Sequence, residues 1–219
     1  MPIHRWFPTT VYVEDLSPPP KIMEGMIDYV SRFYKKNKEN YNTSVGLTGD
    51  VFKESKIHQK STFSWLNKQI FFHSKEYLHA LGVDTTNLKV YASKAWPVVM
   101  QKGSRVCTHR HKNSVLSAVF YLQTDDMDSG EIRFKDPKST LDQIPWYLNP
   151  NPLSFRECFY ESQVNRLLVF PSSLEHQVGV YKGEKERYSL SYDLMITSKR
   201  DSNDTEMCIP DIREWRELR

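Results

Sequence analysis

Hydrophobic residues in the first third of the chain recur at spacings of three and four, which is the pattern of amphipathic helices. From Lys21 onward they form one face and predict a first helix. A second helix is predicted over 61–82, with a serine or threonine cap at its start and a glycine at its end. His73 and His79 stand singly on this helix, without a partner four residues away, so both are interpreted as structural.

After residue 84 the pattern changes to short β-branched and aromatic segments that are separated by turn residues, as in antiparallel strands. A weaker alternation predicts one further strand near the start of the chain. The predicted strands are 7–13, 88–100, 115–122, 130–135, 155–161, 166–170, 177–181 and 188–196. Many short strands in succession indicate an all-β sandwich or barrel, here with a helical layer.

The chain has 219 residues, of which 39% are hydrophobic and 26% charged, so it is long and apolar enough to fold as one domain. Within this single domain, 1–84 holds a strand and the supporting helices, 85–197 the β core, and 198–219 a C-terminal tail. Prolines and aromatic residues interrupt the core at 137–154, which predicts an insertion or a lid.

The charge balance points to no special partner, since 30 basic and 27 acidic residues leave a net charge of +3 and no specific signal for nucleic acid. No apolar run reaches the roughly 18 residues of a membrane span. The first residues lack the apolar region of a signal peptide. Cys107, Cys158 and Cys208 form neither a disulfide framework nor a zinc motif. A cytoplasmic location is predicted, or the host cytoplasm for a phage gene.

Candidate chemistry is concentrated in the strand region. His109 and His111 are two residues apart, so in an extended chain their imidazoles lie on one face and can share a metal ion. His176 follows 65 residues after His111, behind a buried strand and a short turn. Arg187 shares a strand face with Ser189 and Ser191, and an inward-facing arginine is costly unless it meets an anion. Each feature alone has a structural explanation, but their order and spacing together favour a site.

These features resemble those of a known family, the double-stranded β-helix dioxygenases that use Fe(II) and 2-oxoglutarate. The closest resemblance is to the 2-oxoglutarate/Fe(II)-dependent oxygenase group of bacteria and their phages. A more distant similarity is to prolyl hydroxylases and to aspartyl/asparaginyl β-hydroxylase. The segments that carry the resemblance are 6–12, 109–117, 119–122, 130–137, 170–176 and 187–191, so it extends over most of the chain.

The resemblance implies a mainly β fold, a double-stranded β-helix of the jelly-roll or cupin-like type, with N-terminal α-helices packed on one sheet. It implies that His109 and His176 bind iron and that Arg187 pairs with the C5 carboxylate of 2-oxoglutarate. Ser189 is expected to hydrogen-bond beside this carboxylate, and Tyr121 to contact it. The implied cofactors are Fe(II), 2-oxoglutarate as cosubstrate and O₂, with ascorbate as a stimulant.

The chain departs from the family pattern at one position, because His111 stands where the usual motif has aspartate or glutamate. His111 can be a third imidazole ligand. It can instead lie behind the ligands, with iron held by two histidines and water as in aspartyl β-hydroxylase. In a third alternative, His111 is itself the first ligand and Asn113 takes the place of the acid.

The implied reaction is oxidative decarboxylation of 2-oxoglutarate to succinate and CO₂, coupled to hydroxylation of a C–H bond. A protein side chain, as in prolyl hydroxylases, is the first substrate class expected, and a small molecule the second. Neither a membrane partner nor nucleic acid is indicated, and a homo-oligomer is compatible with the sequence. The alternatives are a cupin-like three-histidine dioxygenase or isomerase that does not use 2-oxoglutarate, and a non-catalytic jelly-roll binding module.

Overall fold

Both predicted helices are present in a computed structural model, which describes residues 6–125, 130–138, 151–152, 154–198, 209 and 211–218. Helix α1 spans Pro20–Asn37 and helix α2 spans Ser64–Ala80. The predicted serine or threonine cap of α2 is wrong, because Ser61–Phe63 forms a short 3₁₀ turn and no side chain caps the helix. The structural role predicted for His73 is confirmed by its burial and by the 2.8 Å hydrogen bond between its Nδ1 and the hydroxyl of Tyr12.

The strand region is also largely as predicted. The ten strands of the described chain are β1 Tyr12–Asp15, β2 Leu47–Thr48, β3 Leu88–Met100, β4 Val106–His109, β5 Leu116–Gln123, β6 Ile132–Lys135, β7 Glu157–Tyr160, β8 Arg166–Pro171, β9 His176–Val178 and β10 Arg187–Ser198. The first strand begins five residues later than the predicted segment 7–13. The short strands β2 and β4 were not predicted.

The strands form two antiparallel sheets. The larger sheet has the order β1-β8-β5-β10-β3-β2, and the smaller has the order β4-β9-β6-β7. Except for the pairs β2–β3 and β6–β7, neighbours in each sheet are not consecutive in the sequence, as in a jelly roll, where strands alternate between two facing sheets. The predicted fold class, a jelly-roll β core supported by N-terminal helices, is confirmed.

Alternation along the larger sheet separates a helix-covered face from an interior face. On β10, Tyr188, Leu190 and Tyr192 pack into the same hydrophobic cluster as the buried residues of α1 and α2. The other face of β10 carries Arg187, Ser189, Ser191 and Asp193. The helices therefore cover one side of the sheet, and the polar side is left for the interior between the two sheets.

The C-terminal tail is described only near its end, where a 3₁₀ turn at Ile212–Glu214 follows the buried Asp211. The carboxylate of Asp211 accepts hydrogen bonds from Lys89 and Tyr91 of β3, so this part of the tail docks on the larger sheet. Most of the predicted insertion at 137–154 lies outside the described residues. No helix in the described part of the chain has the length and hydrophobicity needed to span a membrane.

Candidate functional site

Three histidines meet between the two sheets. His109 ends β4 and pairs with His176, the first residue of β9, while His111 follows two residues after β4. The ring centroids of His109 and His176 are 4.3 Å apart, and His111 lies 5.2 Å from each of them. One donor nitrogen from each ring lies within 4.8 Å of the others. This geometry suits one metal ion that is shared by three imidazoles.

The hydrogen bonds of the three rings leave the same nitrogen available on each. Nδ1 of His109 donates to the carbonyl of Cys107 and Nδ1 of His176 donates to the carbonyl of Leu174, both at 2.8 Å. Nδ1 of His111 donates to the carboxylate of Asp193. An oxygen acceptor at Nδ1 places the proton there and leaves a lone pair on Nε2. All three rings are therefore held in the tautomer that presents Nε2 to a metal ion.

The environment of two of these rings favours the neutral form. His176 is only 3% exposed, and burial, reinforced by repulsion from His109, lowers its pKa to about 3. Burial also lowers the pKa of His109. Metal ions bind the neutral imidazole, so the protein holds these side chains in the binding form.

Asp193 is a site residue that the sequence interpretation did not include. It lies on the interior face of β10, is 6% exposed, and accepts hydrogen bonds from His111 and, at 3.4 Å, from the hydroxyl of Ser117. Ser117 in turn bonds to Ser172 at 2.9 Å. The carbonyl of Ser172 accepts a 3.0 Å hydrogen bond from the backbone N–H of His111. One network thus holds both the ring and the backbone of His111.

Aromatic rings pack against the histidines. Trp96 of β3 stacks on His111 with 5.6 Å between centroids and an interplanar angle of 23°. Phe170 and Phe134 contact His176 with centroid distances of 5.0 and 5.8 Å. These contacts limit the rotation of the imidazoles and help to preorganise the three nitrogens.

Arg187 lies at the other end of the interior face of β10. It is 2% exposed, and its Nη1 donates to the carbonyl of Gly130 at 2.6 Å and to the hydroxyl of Ser162 at 2.9 Å. Its Nε is buried without a hydrogen-bond partner. No carboxylate of the described residues forms an ion pair with it. Burial lowers the pKa of this guanidinium.

The other two residues predicted to bind the cosubstrate lie beside Arg187. The ring of Tyr121 is 1% exposed, and the guanidinium carbon of Arg187 lies 5.5 Å from its centroid. Ser189 is buried, faces the same side of β10 as Arg187, and pairs with Tyr121 of β5. The structure therefore brings Tyr121, Arg187 and Ser189 together, and adds Ser162 and the carbonyl of Gly130 to this cluster.

The backbone conformation of Asn113 explains this residue without a role as a metal ligand. Asn113 is exposed and has a φ of 60°, in the left-handed region that asparagine tolerates better than most residues. This turn follows His111 and leads the chain into β5, so the backbone geometry alone accounts for the residue.

An open cleft of about 850 Å³ gives access to His109 and His111. His109, His111 and Trp96 line it on one side. On the other side lies the segment 40–52, which includes β2 and is attached to the chain just before β4 by a 3.0 Å hydrogen bond between Gly46 N–H and the carbonyl of Arg105. A substrate in this cleft would lie next to the candidate metal site.

Comparison with known proteins supports the chemistry of this site. Residues 94–193, somewhat under half of the chain, match the family described as "Putative 2OG-Fe(II) oxygenase". The matched segment contains His109, His111, His176 and Arg187, and it ends at Asp193. No curated protein matches the sequence.

Solved structures with a similar fold include a prolyl-4-hydroxylase from Pseudomonas putida, with 13% identity, 84% of this chain and 92% of that chain covered, and a TM-score of 0.54. HygX from Streptomyces hygroscopicus, solved with nickel and 2-oxoglutarate bound, has 11% identity, 85% and 83% coverage, and a TM-score of 0.54. SnoN, a non-heme alpha-ketoglutarate-dependent epimerase from nogalamycin biosynthesis, has 9% identity, 87% and 81% coverage, and a TM-score of 0.53. At these identities the likeness establishes the shared fold alone.

The residues of the site fit the cofactors that the family requires. Three imidazoles are suitable ligands for Fe(II), and the buried guanidinium of Arg187 suits a carboxylate of 2-oxoglutarate. The fold, the family match and this donor set lead to one conclusion. Residues 94–193 match a 2OG-Fe(II) oxygenase domain, and this match together with the three histidines supports an oxidoreductase whose cofactors are Fe(II), 2-oxoglutarate and O₂.

Proposed function

We propose that this protein hydroxylates an unactivated C–H bond in a protein side chain, coupled to the decarboxylation of 2-oxoglutarate to succinate and CO₂. The observation that carries the proposal is the buried guanidinium of Arg187. Its Nε has no hydrogen-bond partner, and no carboxylate of the described residues forms an ion pair with it. A buried charge without a counter-ion is strongly unfavourable. A dicarboxylate that binds with one end at Arg187 removes this cost.

Arg187 is suited to orient the cosubstrate as well as to bind it. A guanidinium offers parallel N–H donors that match both oxygens of a carboxylate. Ser162 and Gly130 already hold one of its nitrogens, so the direction of the side chain is set before a ligand arrives. Tyr121 and Ser189 supply further polar groups at the same place.

At the metal end we assign His109, His111 and His176 as the ligands. Fe(II), when bound there together with 2-oxoglutarate, activates O₂ for the oxidation of a C–H bond. The role of the protein is to hold three Nε2 atoms together. The Nδ1 hydrogen bonds to two carbonyls and to Asp193 orient the imidazoles, and the rings of Trp96 and Phe170 pack against them.

A second candidate function is favoured by one observation, the three-histidine donor set in place of two histidines and a carboxylate. Such a set is compatible with a cupin-like dioxygenase or isomerase that needs no 2-oxoglutarate. In that case, however, Arg187 remains buried without an anion. A non-catalytic binding module leaves the same charge unexplained, so both alternatives rank below the hydroxylase.

The test is the formation of succinate from 2-oxoglutarate by the purified protein with Fe(II), O₂ and ascorbate, in the presence and absence of proline-containing peptides. We expect slow succinate formation without peptide, and stimulation by a peptide substrate that gains 16 Da. His176→Ala is the matched inactive control. Oxidation of a substrate without any need for 2-oxoglutarate would move the cupin-like function ahead.

A further inference from the structure

The cleft in front of the histidines has an unusual distribution of charge. Four basic residues line it, namely Lys94, Arg105, Arg110 and Lys112. Two carboxylates also line it, and one of them, Asp193, is already engaged with His111. Among the residues that the structure describes, Asp50 on the opposite segment is the one other acidic group that faces the cleft. The whole chain is near charge balance at +3, so this local excess is not a reflection of the composition.

The four basic side chains are not used to stabilise the fold. None of them forms an ion pair or a side-chain hydrogen bond with a residue that the structure describes. By contrast, Lys89, Arg133 and Arg166, which lie elsewhere on the β core, each pair with a carboxylate. Side chains that remain available next to a reaction centre are candidates for substrate binding.

The positions of these residues indicate an extended ligand. Arg105 precedes β4 and Arg110 follows it, so about 16 Å separates their Cα atoms along an extended strand. Lys94 lies on a different strand, where it pairs with Asp193 of β10. One small anion contacts one or two such groups. A peptide segment that carries several acidic side chains can meet all of them.

The aromatic residues of the cleft argue against nucleic acid as the ligand. Binding of single-stranded nucleic acid relies on exposed aromatic faces on which bases stack. Here Trp96 is 7% exposed, and its ring stacks on His111. The hydroxyl of the half-buried Tyr41 donates to Gln101 at 2.8 Å, and Phe52 packs against the main hydrophobic core.

We infer that the cleft binds an acidic peptide segment through Lys94, Arg105, Arg110 and Lys112, and presents a side chain of that segment to the metal site. The inference rests on the proposed function, since it names the class of polypeptide that the hydroxylase uses.

The experiment measures peptide binding separately from oxidation. Fluorescein-labelled (Glu-Gly)₆, (Ser-Gly)₆ and (Lys-Gly)₆ peptides are titrated with the protein anaerobically, in the presence of Fe(II) and 2-oxoglutarate, and fluorescence anisotropy is recorded. We expect binding of the glutamate peptide only, and weaker binding as salt rises from about 50 to 300 mM because exposed charges are screened. Equal binding of the three peptides, or binding of none, overturns the inference.

Charge reversal at the cleft provides a second test of the inference. Arg105→Glu/Lys112→Glu should lower the affinity for the glutamate peptide roughly tenfold or more, as expected for two reversed charges. The control Lys36→Glu/Lys68→Glu makes the same change in net charge at exposed positions of α1 and α2, and should retain the affinity. Equal loss in both variants overturns the inference.

A twelve-residue oligothymidylate is the competing probe. If it binds more tightly than the glutamate peptide, and through the same two residues, the acidic-peptide assignment is wrong. The hydroxylase itself is tested by succinate formation, so a failure of the peptide assignment and a failure of the proposed function give different results.

Discussion

The imidazole of His111 donates a hydrogen bond from Nδ1 to the carboxylate of Asp193, which lies 82 residues further along the chain. The usual family motif has a carboxylate at the position of His111. In this protein the imidazole faces the candidate metal site and the carboxylate is placed behind it. A carboxylate behind a histidine sets the tautomer and raises the basicity of the ring. Asp193 therefore supplies part of what the missing acidic ligand would provide.

The first prediction concerns Asp193 as a positioning residue for His111. Asp193→Ala removes both the acceptor and the charge, and should weaken Fe(II) binding by about 10- to 100-fold. Asp193→Asn keeps an acceptor for Nδ1 and should lose less. Asp50→Asn, which changes a carboxylate of the same cleft that does not contact His111, is the matched control. Fe(II) affinity by competition with a chelator is the measurement, and an unchanged affinity in Asp193→Ala would exclude the role.

The second prediction follows from the same contact. His111→Asp restores the common motif, but it also places a second carboxylate next to the buried Asp193. Two neighbouring buried carboxylates repel each other and favour protonation, which weakens a metal site. We therefore expect His111→Asp/Asp193→Asn to bind Fe(II) more tightly than His111→Asp alone. The reverse order, measured by the same competition assay, would show that Asp193 does not contact position 111 in solution.

The third prediction compares the three histidines. The protein should bind about one Fe(II) per chain, and His176→Ala should abolish this binding because one of few ligands is lost. If His111 is a ligand, His111→Ala should reduce the affinity as strongly as His109→Ala. A loss of only about 10- to 100-fold for His111→Ala would instead place His111 behind the ligands. His79→Ala, an exposed histidine of α2, controls for general effects on metal binding.

The fourth prediction concerns Arg187. Arg187→Met keeps much of the side-chain volume, and should preserve folding and iron content while weakening 2-oxoglutarate binding by about 2–5 kcal/mol, because a buried carboxylate is left unpaired. Arg187→Lys restores the charge without the paired donors and should recover part of the loss. The absorption band that forms when 2-oxoglutarate binds Fe(II) anaerobically reports the affinity.

Arg133→Met is the matched control for that experiment, since Arg133 is partly exposed and pairs with Glu131 on the smaller sheet. It should bind 2-oxoglutarate like the unchanged protein. If Arg187→Met also binds 2-oxoglutarate normally, the cosubstrate assignment is wrong.

The fifth prediction concerns pH and His73, which joins α2 to β1 through Tyr12. Burial lowers the pKa of His73 below the value of about 6.5 that an exposed histidine has in the unfolded chain. The unfolded state therefore binds a proton more readily, and the stability that this residue contributes is lost as the pH falls below about 6.5. His73→Gln should reduce the fall in melting temperature between neutral and acidic pH. His79→Gln on the same helix should leave this fall in melting temperature unchanged.

The local spacing of hydrophobic residues along the chain determined most of the helices and strands. The spacing of three and four in the first third reflects helices that bury one face. Helix α1 begins one residue before the predicted start at Lys21, and α2 lies within two or three residues of the predicted range 61–82. The period of two on β10 separates Tyr188 and Leu190, which pack under the helices, from Arg187 and Ser189. Such faces depend only on the geometry of a single element, so the sequence shows them without knowledge of the partner.

The same period of two, continued past Ser191, places Asp193 on the interior face. The sequence therefore determined that Asp193 faces inward with Arg187. It did not determine what Asp193 contacts, because an inward carboxylate can pair with any group that the opposite elements bring near.

The contact of Asp193 with His111 depends on the tertiary structure. Asp193 meets His111 because β10 pairs with β5, and because the turn at Ser172 holds the backbone of His111 beside both strands. A bulge in β3 opposite Asp193 further adjusts the strand at this point. The meeting of His109 with His176 likewise depends on the register between β4 and β9, two strands too short to be predicted with accuracy. Register between strands that are distant in sequence is set by the packing of the whole core, and no local pattern encodes it.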